Sequence, residues 1–228
     1  MKGVIFDFNG TMFFDSLFHE KAWMAIGEKY FHRHLSKQEV DKNIQGRSNE
    51  RILSYLSSFP LSKEEADFIS GEKEKRYRKR ARANPSLLHL APGLVSFLDF
   101  LKTNNIPRAI ATSSEKTNRE WYKKVFPLSR YFEENNRIYD DGSFQKGKPD
   151  PEIYQVARKR LSLAPSSCLV FEDSLSGLKS AFAAKAGMIC QAVDPDFPPS
   201  FPHPSFVTLS LSCFWPIPSS VFEFLRRK

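Results

Sequence analysis

The chain has 228 residues, of which 41% are hydrophobic and 14% aromatic, with 21 Phe. Such a chain can bury a substantial core, which excludes wholesale disorder, and its length fits one domain or a core domain carrying an insertion. Its formal net charge of +8 favours anionic partners without choosing among phosphate esters, nucleic acid and membrane surface.

Cys168, Cys190 and Cys213 are odd in number and widely spaced, and no CxxC pair occurs. Neither a disulfide framework nor a cysteine-based zinc site is expected, and the three read as small buried apolar groups. The N-terminal apolar stretch is short, carries Asp7 and lacks a small-residue cleavage site, so it does not read as a signal peptide. No run of about 18 apolar residues occurs, so no membrane span is expected. A cytoplasmic, soluble monomer is the expectation.

Residues 3–8, GVIFDF, read as a short buried strand that ends in the Asn9-Gly10-Thr11 turn. Residues 15–82 read as helical almost throughout, broken near Gly46 and at Pro60, with Trp23 as core. Within them, residues 72–82 carry seven basic and two acidic side chains. That run reads as the solvated face of a helix, with a field that draws anionic substrates as the alternative. Nucleic-acid binding is not expected, because Tyr77 is the run's one stacking aromatic.

After Asn84-Pro85 strand-like and helical segments alternate. Pro92-Gly93 opens a helix with Leu94, Phe97, Leu98 and Leu101 on its core face. Strands follow at 107–112, 137–139, 167–171, 188–193 and 206–209. Helices are expected over 115–125, 151–162 and 174–187, the last ended by Gly187 as a C-cap, and a short helix closes the chain. This is an α/β pattern: a Rossmann-like parallel sheet with helices on both faces and an all-helical block inserted after the first strand. The expected division is a core of 1–14 with 84–228, and an insert of 15–83. Residues 195–218 hold seven of the fifteen prolines and read as a rigid surface connection.

Ligands of such sheets bind beyond the carboxyl ends of the strands. There the sequence places Asp7 to Thr11, then Thr112-Ser113-Ser114, then Lys148 ahead of the 151–162 helix, then Glu172-Asp173. Together these suit phosphoryl transfer. A carboxylate can attack phosphorus, acidic groups can hold Mg²⁺, hydroxyls and amides can hold phosphate oxygens, and a lysine offsets charge. Taken singly each has a plainer reading. Asp7 serves equally as a turn cap, Lys148 as a solvated loop residue, and Glu172-Asp173 as acids of a helix's first turn.

FDFNGT, TSS, GKPDPEIY and FEDSLSGLKSAFAAKAGM, in that order, resemble the four motifs of the haloacid dehalogenase superfamily. The nearest likeness is to its β-phosphoglucomutase-like phosphatases, which carry a small α-helical cap. The resemblance spans residues 3 to about 194. It implies that Asp7 is the nucleophile and an Mg²⁺ ligand, and that residue 9 lends the metal its backbone carbonyl. Glu172 and Asp173 complete the metal shell. Thr112 and Lys148 hold the phosphoryl group, with Gly10, Thr11, Ser113 and Ser114 around it. In the cap, His19, Gly46 and Arg47 stand where such proteins meet the leaving group. The implied substrate is a small phosphorylated metabolite.

The departures carry equal weight. Family phosphatases have Asp two residues after the nucleophile as general acid and base; here Asn9 cannot exchange a proton at neutral pH. Asn49 and Glu115 stand where mutases have Arg and Lys, which argues against a bisphosphate-using mutase. Three functions follow in order: an Mg²⁺-dependent phosphatase working through an aspartyl-phosphate on Asp7, a weakened phosphate-binding or regulatory protein, and a mutase. His19 reads equally as a half-buried packing residue and as a site residue.

Overall fold

The structure is a computed structural model that describes residues 1–138, 144–199 and 201–227. Residue 139, the expected end of the third strand, lies outside them.

Six parallel strands form one sheet in the order β3-β2-β1-β4-β5-β6. They are β1 (Gly3–Phe6), β2 (Arg108–Ala111), β3 (Arg137–Ile138), β4 (Cys168–Glu172), β5 (Met188–Ala192) and β6 (Leu209–Leu211). β1 and β4 are wholly buried and lie side by side at the centre, with Phe6 opposite Phe171. Their unbroken apolar runs follow from helices covering both faces. On one face Phe6, Phe97, Phe171 and Phe214 pack ring against ring at 5.1–6.3 Å. On the other, Ile5, Val170 and Ile189 meet Ile153, Tyr154 and Leu178.

Between β1 and α5 (Leu94–Thr103) stand four helices, α1 (Ser16–Phe31), α2 (Lys37–Asn43), α3 (Asn49–Leu56) and α4 (Lys63–Arg82). Each start follows from its cap. Ser36 and Ser62 form capping boxes with Glu39 and Glu65, and Ser48 accepts the Arg51 amide. The insert has its own apolar cluster around Trp23, Ile26, Leu35, Val40 and Leu53. The remaining helices are α6 (Lys116–Val125), α7 (Glu152–Arg160), α8 (Leu175–Ala183) and α9 (Ser219–Arg226).

Several expectations need correction. α1 stops at His32, whose left-handed backbone (φ 52°) ends it, so 15–82 has a break that the sequence reading lacks. α8 ends at Ala183, and the left-handed residue beyond it is Lys185 (φ 60°). Gly187 is there for close approach instead: a Cβ would lie 2.0 Å from the Ser166 carbonyl oxygen. The proline-rich segment is not merely superficial, since it supplies edge strand β6 and buries Val207, Phe214 and Ile217. Cys213 is exposed, while Cys168 and Cys190 are buried as expected. No helix among the described residues is long and apolar enough to cross a membrane.

Candidate active site

β1 ends at Phe6, and Asp7 continues its line by donating its amide to the Phe171 carbonyl at 3.0 Å. The chain then turns sharply at Gly10 (φ +74°), where a Cβ would fall 2.1 Å from Asp173 Oδ2. Only glycine brings the Asn9-Gly10 turn so close to the end of β4. There Glu172 accepts the Ser174 amide at 2.8 Å, and Ser174 Oγ in turn caps α8 at Gly177. Asp7, Glu172 and Asp173 thus converge, each offering a carboxylate oxygen within 4.8 Å of the others. Thr11 Oγ1 donates to Asp173 at 3.3 Å.

Lys148 enters this group from the loop before α7. Its buried Nζ donates to Asp7 Oδ1 at 2.5 Å and also to Glu172 Oε1. Burial raises the Asp7 carboxyl, Lys148 opposes that and Glu172 reinforces it, leaving it at about 7. Asp173 is held well above the ordinary carboxylate range by its enclosed position and by Glu172 and Asp7. Lys148 is raised, because the two carboxylates outweigh its own burial. Three carboxylates face one lysine, so the cluster has an excess of enclosed negative charge. Its all-oxygen donor set fits a hard divalent cation.

Asn9 sits at the centre of a polar ring. Its Nδ2 donates to Asp15 Oδ2 at 2.6 Å and to the Tyr122 hydroxyl at 2.6 Å. Tyr122 and Tyr77 hydroxyls lie 3.1 Å apart, and Tyr77 donates to the same Asp15 oxygen at 2.5 Å. Asp15 Oδ1 takes the Gly10 amide at 2.9 Å. Burial keeps both tyrosines protonated, so they remain donors. On its other side Asn9 Oδ1 accepts from Ser114 Oγ and, at 3.5 Å, from Thr112 Oγ1.

His19 is less than a quarter exposed and stacks on Tyr77 with ring centroids 3.9 Å apart. Its Nε2 lies 3.3 Å from both Asn9 Nδ2 and Asp15 Oδ2. Lys73 Nζ lies 2.8 Å from its Nδ1. Lys73 and Glu74, 2.8 Å apart, are both buried. Glu74 also accepts from Asn49 at 2.9 Å and from Asn118 at 2.6 Å. Burial works against its charge, but Lys73, His19 and these donors hold its carboxyl down at about 2.

One cavity joins these parts. Its wall includes Asp7, Asn9, Thr112, Ser113, Ser114, Lys148, Glu172 and Asp173 from the sheet edge, and His19, Gly46, Arg47, Lys73 and Glu74 from the insert. Gly46 (φ +67°) packs so tightly on Ser174 that a Cβ would fall 2.1 Å from its Oγ. Arg51 Nη1 reaches the Lys148 carbonyl at 3.0 Å. The insert therefore lies against the sheet edge, and Arg47 is on the cavity wall. Gly10 and Thr11 do not line this cavity; they lie in the turn after Asp7, and Gly10 lines a second, smaller cavity. The sequence reading missed Asp15, Lys73, Glu74, Tyr77, Asn118 and Tyr122. For Lys73, Glu74 and Tyr77 the reading as a solvated basic face is wrong, because this side of α4 is buried.

Comparison with known proteins points to one family. The model of the haloacid dehalogenase-like hydrolases matches residues 1–185. The phosphorylated carbohydrates phosphatase of Thermotoga maritima is 29% identical over 184 residues, 81% of this chain and 82% of that protein. The beta-phosphoglucomutase of Bacillus subtilis is 28% identical over 202 residues, 85% of this chain and 83% of that protein. The crystal structure of a HAD hydrolase, family IA, variant 3, from Entamoeba histolytica matches with a TM-score of 0.84 at 31% identity, covering 100% of both chains. The fold is thus shared along the whole chain, and the protein belongs to the haloacid dehalogenase-like hydrolases.

Proposed function

We propose that the protein is an Mg²⁺-dependent phosphatase of a small phosphorylated metabolite, with a phosphorylated sugar as the nearest class, and that it turns over slowly. The observation that carries this reading is the Asp7 carboxylate, bridged by Lys148 at 2.5 Å and grouped with Glu172 and Asp173. Asp7, Glu172, Asp173 and the Asn9 backbone carbonyl would hold Mg²⁺. When bound, Mg²⁺ offsets the negative charge of the phosphoryl group and of the carboxylates.

A carboxylate oxygen of Asp7 attacks phosphorus, and the bond from phosphorus to the leaving oxygen breaks. Thr112, Ser114 and Lys148 hold the phosphoryl oxygens, and Lys148 neutralises part of their charge. Water then attacks the aspartyl-phosphate, releasing inorganic phosphate and restoring Asp7. The leaving oxygen must gain one proton and the attacking water must lose one. Asn9 orients both partners and moves neither proton. The helical insert acts as a cap that excludes water and meets the leaving group through His19 and Arg47.

Turnover of nitrophenyl phosphate with Mg²⁺, lost in Asp7→Asn, is the expected result. A second reading, a phosphate-binding regulatory protein, is favoured by Asn9. It requires Mg²⁺-dependent phosphate binding without turnover of any ester in a metabolite panel.

A further inference from the structure

The basic run on α4 has an inward side, which is already engaged, and an outward side, which the proposed reaction leaves without a role. Inward, Lys73 pairs with Glu74 at 2.8 Å, and Tyr77 and Ala81 are buried. Outward stand Lys75, Arg76, Arg78, Lys79, Arg80 and Arg82, none of them buried. Among the described residues a carboxylate meets one of these six, Lys75, whose Nζ lies 3.4 Å from Glu72. Arg78 donates to two neutral acceptors, Thr117 Oγ1 at 3.2 Å and Asn118 Oδ1 at 2.7 Å. Arg82 lies over the Trp121 ring. Five cations between Arg76 and Arg82 therefore keep their charge, although like charges three and four residues apart work against a helix. The helix dipole favours those in the last turn, but Arg76 and Arg78 stand ahead of it.

The cavity has no positive surplus of its own. Its wall presents seven carboxyl side chains against three cations, Arg47, Lys73 and Lys148. Lys37 pairs with one of those carboxylates, Glu20, at 2.9 Å. Even with that lysine and Mg²⁺ counted, the positive charges do not outnumber the carboxyl groups. Attraction for an approaching dianion must then come from outside the cavity, and the outward cations of α4 adjoin it. Lys73, Glu74 and Asn118 line the wall, and Arg78 is bonded to Asn118. With a rise of about 1.5 Å per residue, Lys75 to Arg82 stand roughly 3–14 Å along the axis from Lys73. That is inside the Debye length of about 30 Å at 0.01 M salt, and comparable with the length of about 8 Å at physiological salt.

We propose that the outward face of α4 is a capture surface for small dianions. Its field raises the local concentration of a phosphate monoester at the cavity mouth and the rate at which the ester enters, with no contact to the ester once it is bound. The partner is a freely diffusing phosphate dianion. Single-stranded nucleic acid fits less well, because the rings beside these cations, Tyr77 and Trp121, are buried and offer no stacking face. The proposal rests on the phosphatase reading, which supplies the anion and its destination at Asp7.

The test reads the second-order rate constant of the nitrophenolate burst at low ester concentration, with saturating Mg²⁺, from about 0.01 M to about 0.5 M salt. Two double variants change the net charge equally: Lys79→Glu with Arg80→Glu on α4, and Arg226→Glu with Arg227→Glu on α9. All four positions are exposed. α9 ends at the opposite edge of the sheet, where Phe224 lies 5.1 Å from Lys2 Nζ, just ahead of β1. At low salt the α4 variant should be slower than the parent by about three- to fivefold, and the α9 variant by less than about twofold. Lys79→Gln with Arg80→Gln should fall between the parent and the α4 variant. All should converge at high salt, and the burst rate constant at saturating ester should be the same in each. An α4 variant within about 1.5-fold of the parent at low salt overturns the proposal. So does an equal loss in the α9 variant, which would make net charge the cause, or a slower burst at saturation in both α4 variants. Absence of any burst in the parent overturns the phosphatase reading itself.

Discussion

In the proposed reaction Asn9 is the residue on which proton transfer turns, and its surroundings suit an amide. It gives two N–H bonds, to Asp15 and Tyr122, and takes hydroxyl donors on its oxygen. An aspartate there would face Asp15 across 2.6 Å, and two carboxylates that close cannot both ionise. Asn9→Asp should therefore hold a proton between residues 9 and 15 at neutral pH, and that proton is available to the leaving group. The steady rate on phosphate esters should rise by about 10²–10⁴. The variant also loses a donor to Tyr122, so urea denaturation should report a loss of about 1–3 kcal/mol. A faster enzyme with undiminished stability would contradict the ring as drawn here. Asp7, Thr112, Glu172 and Asp173 were legible in the sequence because the ends of buried strands announce themselves, and Lys148, on the loop before α7, was legible through the GKPDPEIY motif. The partners of Asn9 were not, because Asp15, Tyr77 and Tyr122 come from separate segments that only the fold brings together.

Among the elements, β1 and β4 were legible for a simple reason: a strand buried on both faces is apolar without interruption. α4 was not. Seven of its last eleven residues are basic, so its composition points outward. Yet Lys73, Tyr77 and Ala81 recur every four residues and form its buried side. That spacing was the available signal, and the charge of Lys73 concealed it. The seat of the insert on the core is testable at Gly46. Gly46→Ala must displace the Ser174 side chain and adopt a positive φ, so KM for an ester should rise while burst kinetics on nitrophenyl phosphate persist. Unchanged KM would mean that this contact does not position the insert. In the sheet, Phe171→Ala removes a ring packed on Phe6, Phe97 and Phe214 and should cost about 3–5 kcal/mol. A loss below about 1 kcal/mol in thermal or urea unfolding would show that the four rings repack freely.

At the scale of the molecule, charge links the site to pH. Asp7 lies at about 7 and Asp173 above its ordinary value, both raised by enclosure among like charges, and both must ionise to hold a cation. Below pH 7 protons compete for the same oxygens. Apparent Mg²⁺ affinity should therefore climb as pH rises through about 7, with protons released on binding, as read by calorimetry in buffers of different ionisation enthalpy. Affinity that stays flat from pH 5 to pH 9, on the order of two units either side of that value, would place the metal elsewhere. The chain enters the insert near Asp15, which belongs to the ring around Asn9, and leaves it near Asn84, just beyond the Ala83 cap of α4. Asp15 and Tyr77 thus link the insert to the ring around Asn9 by hydrogen bonds.

The central claim is that Asp7 carries the phosphoryl group and that Asn9 leaves it stranded there. Rapid-quench mixing of the protein with nitrophenyl phosphate and Mg²⁺, followed by mass analysis of the peptide containing Asp7, tests this directly. Nitrophenolate departs without a proton, so the first step should proceed, while hydrolysis of the intermediate lacks its base. The expected result is a burst of about one nitrophenolate per protein, a slow steady rate, and the mass of one phosphoryl group on Asp7 throughout. A linear time course with no phosphoryl group on that peptide would contradict it.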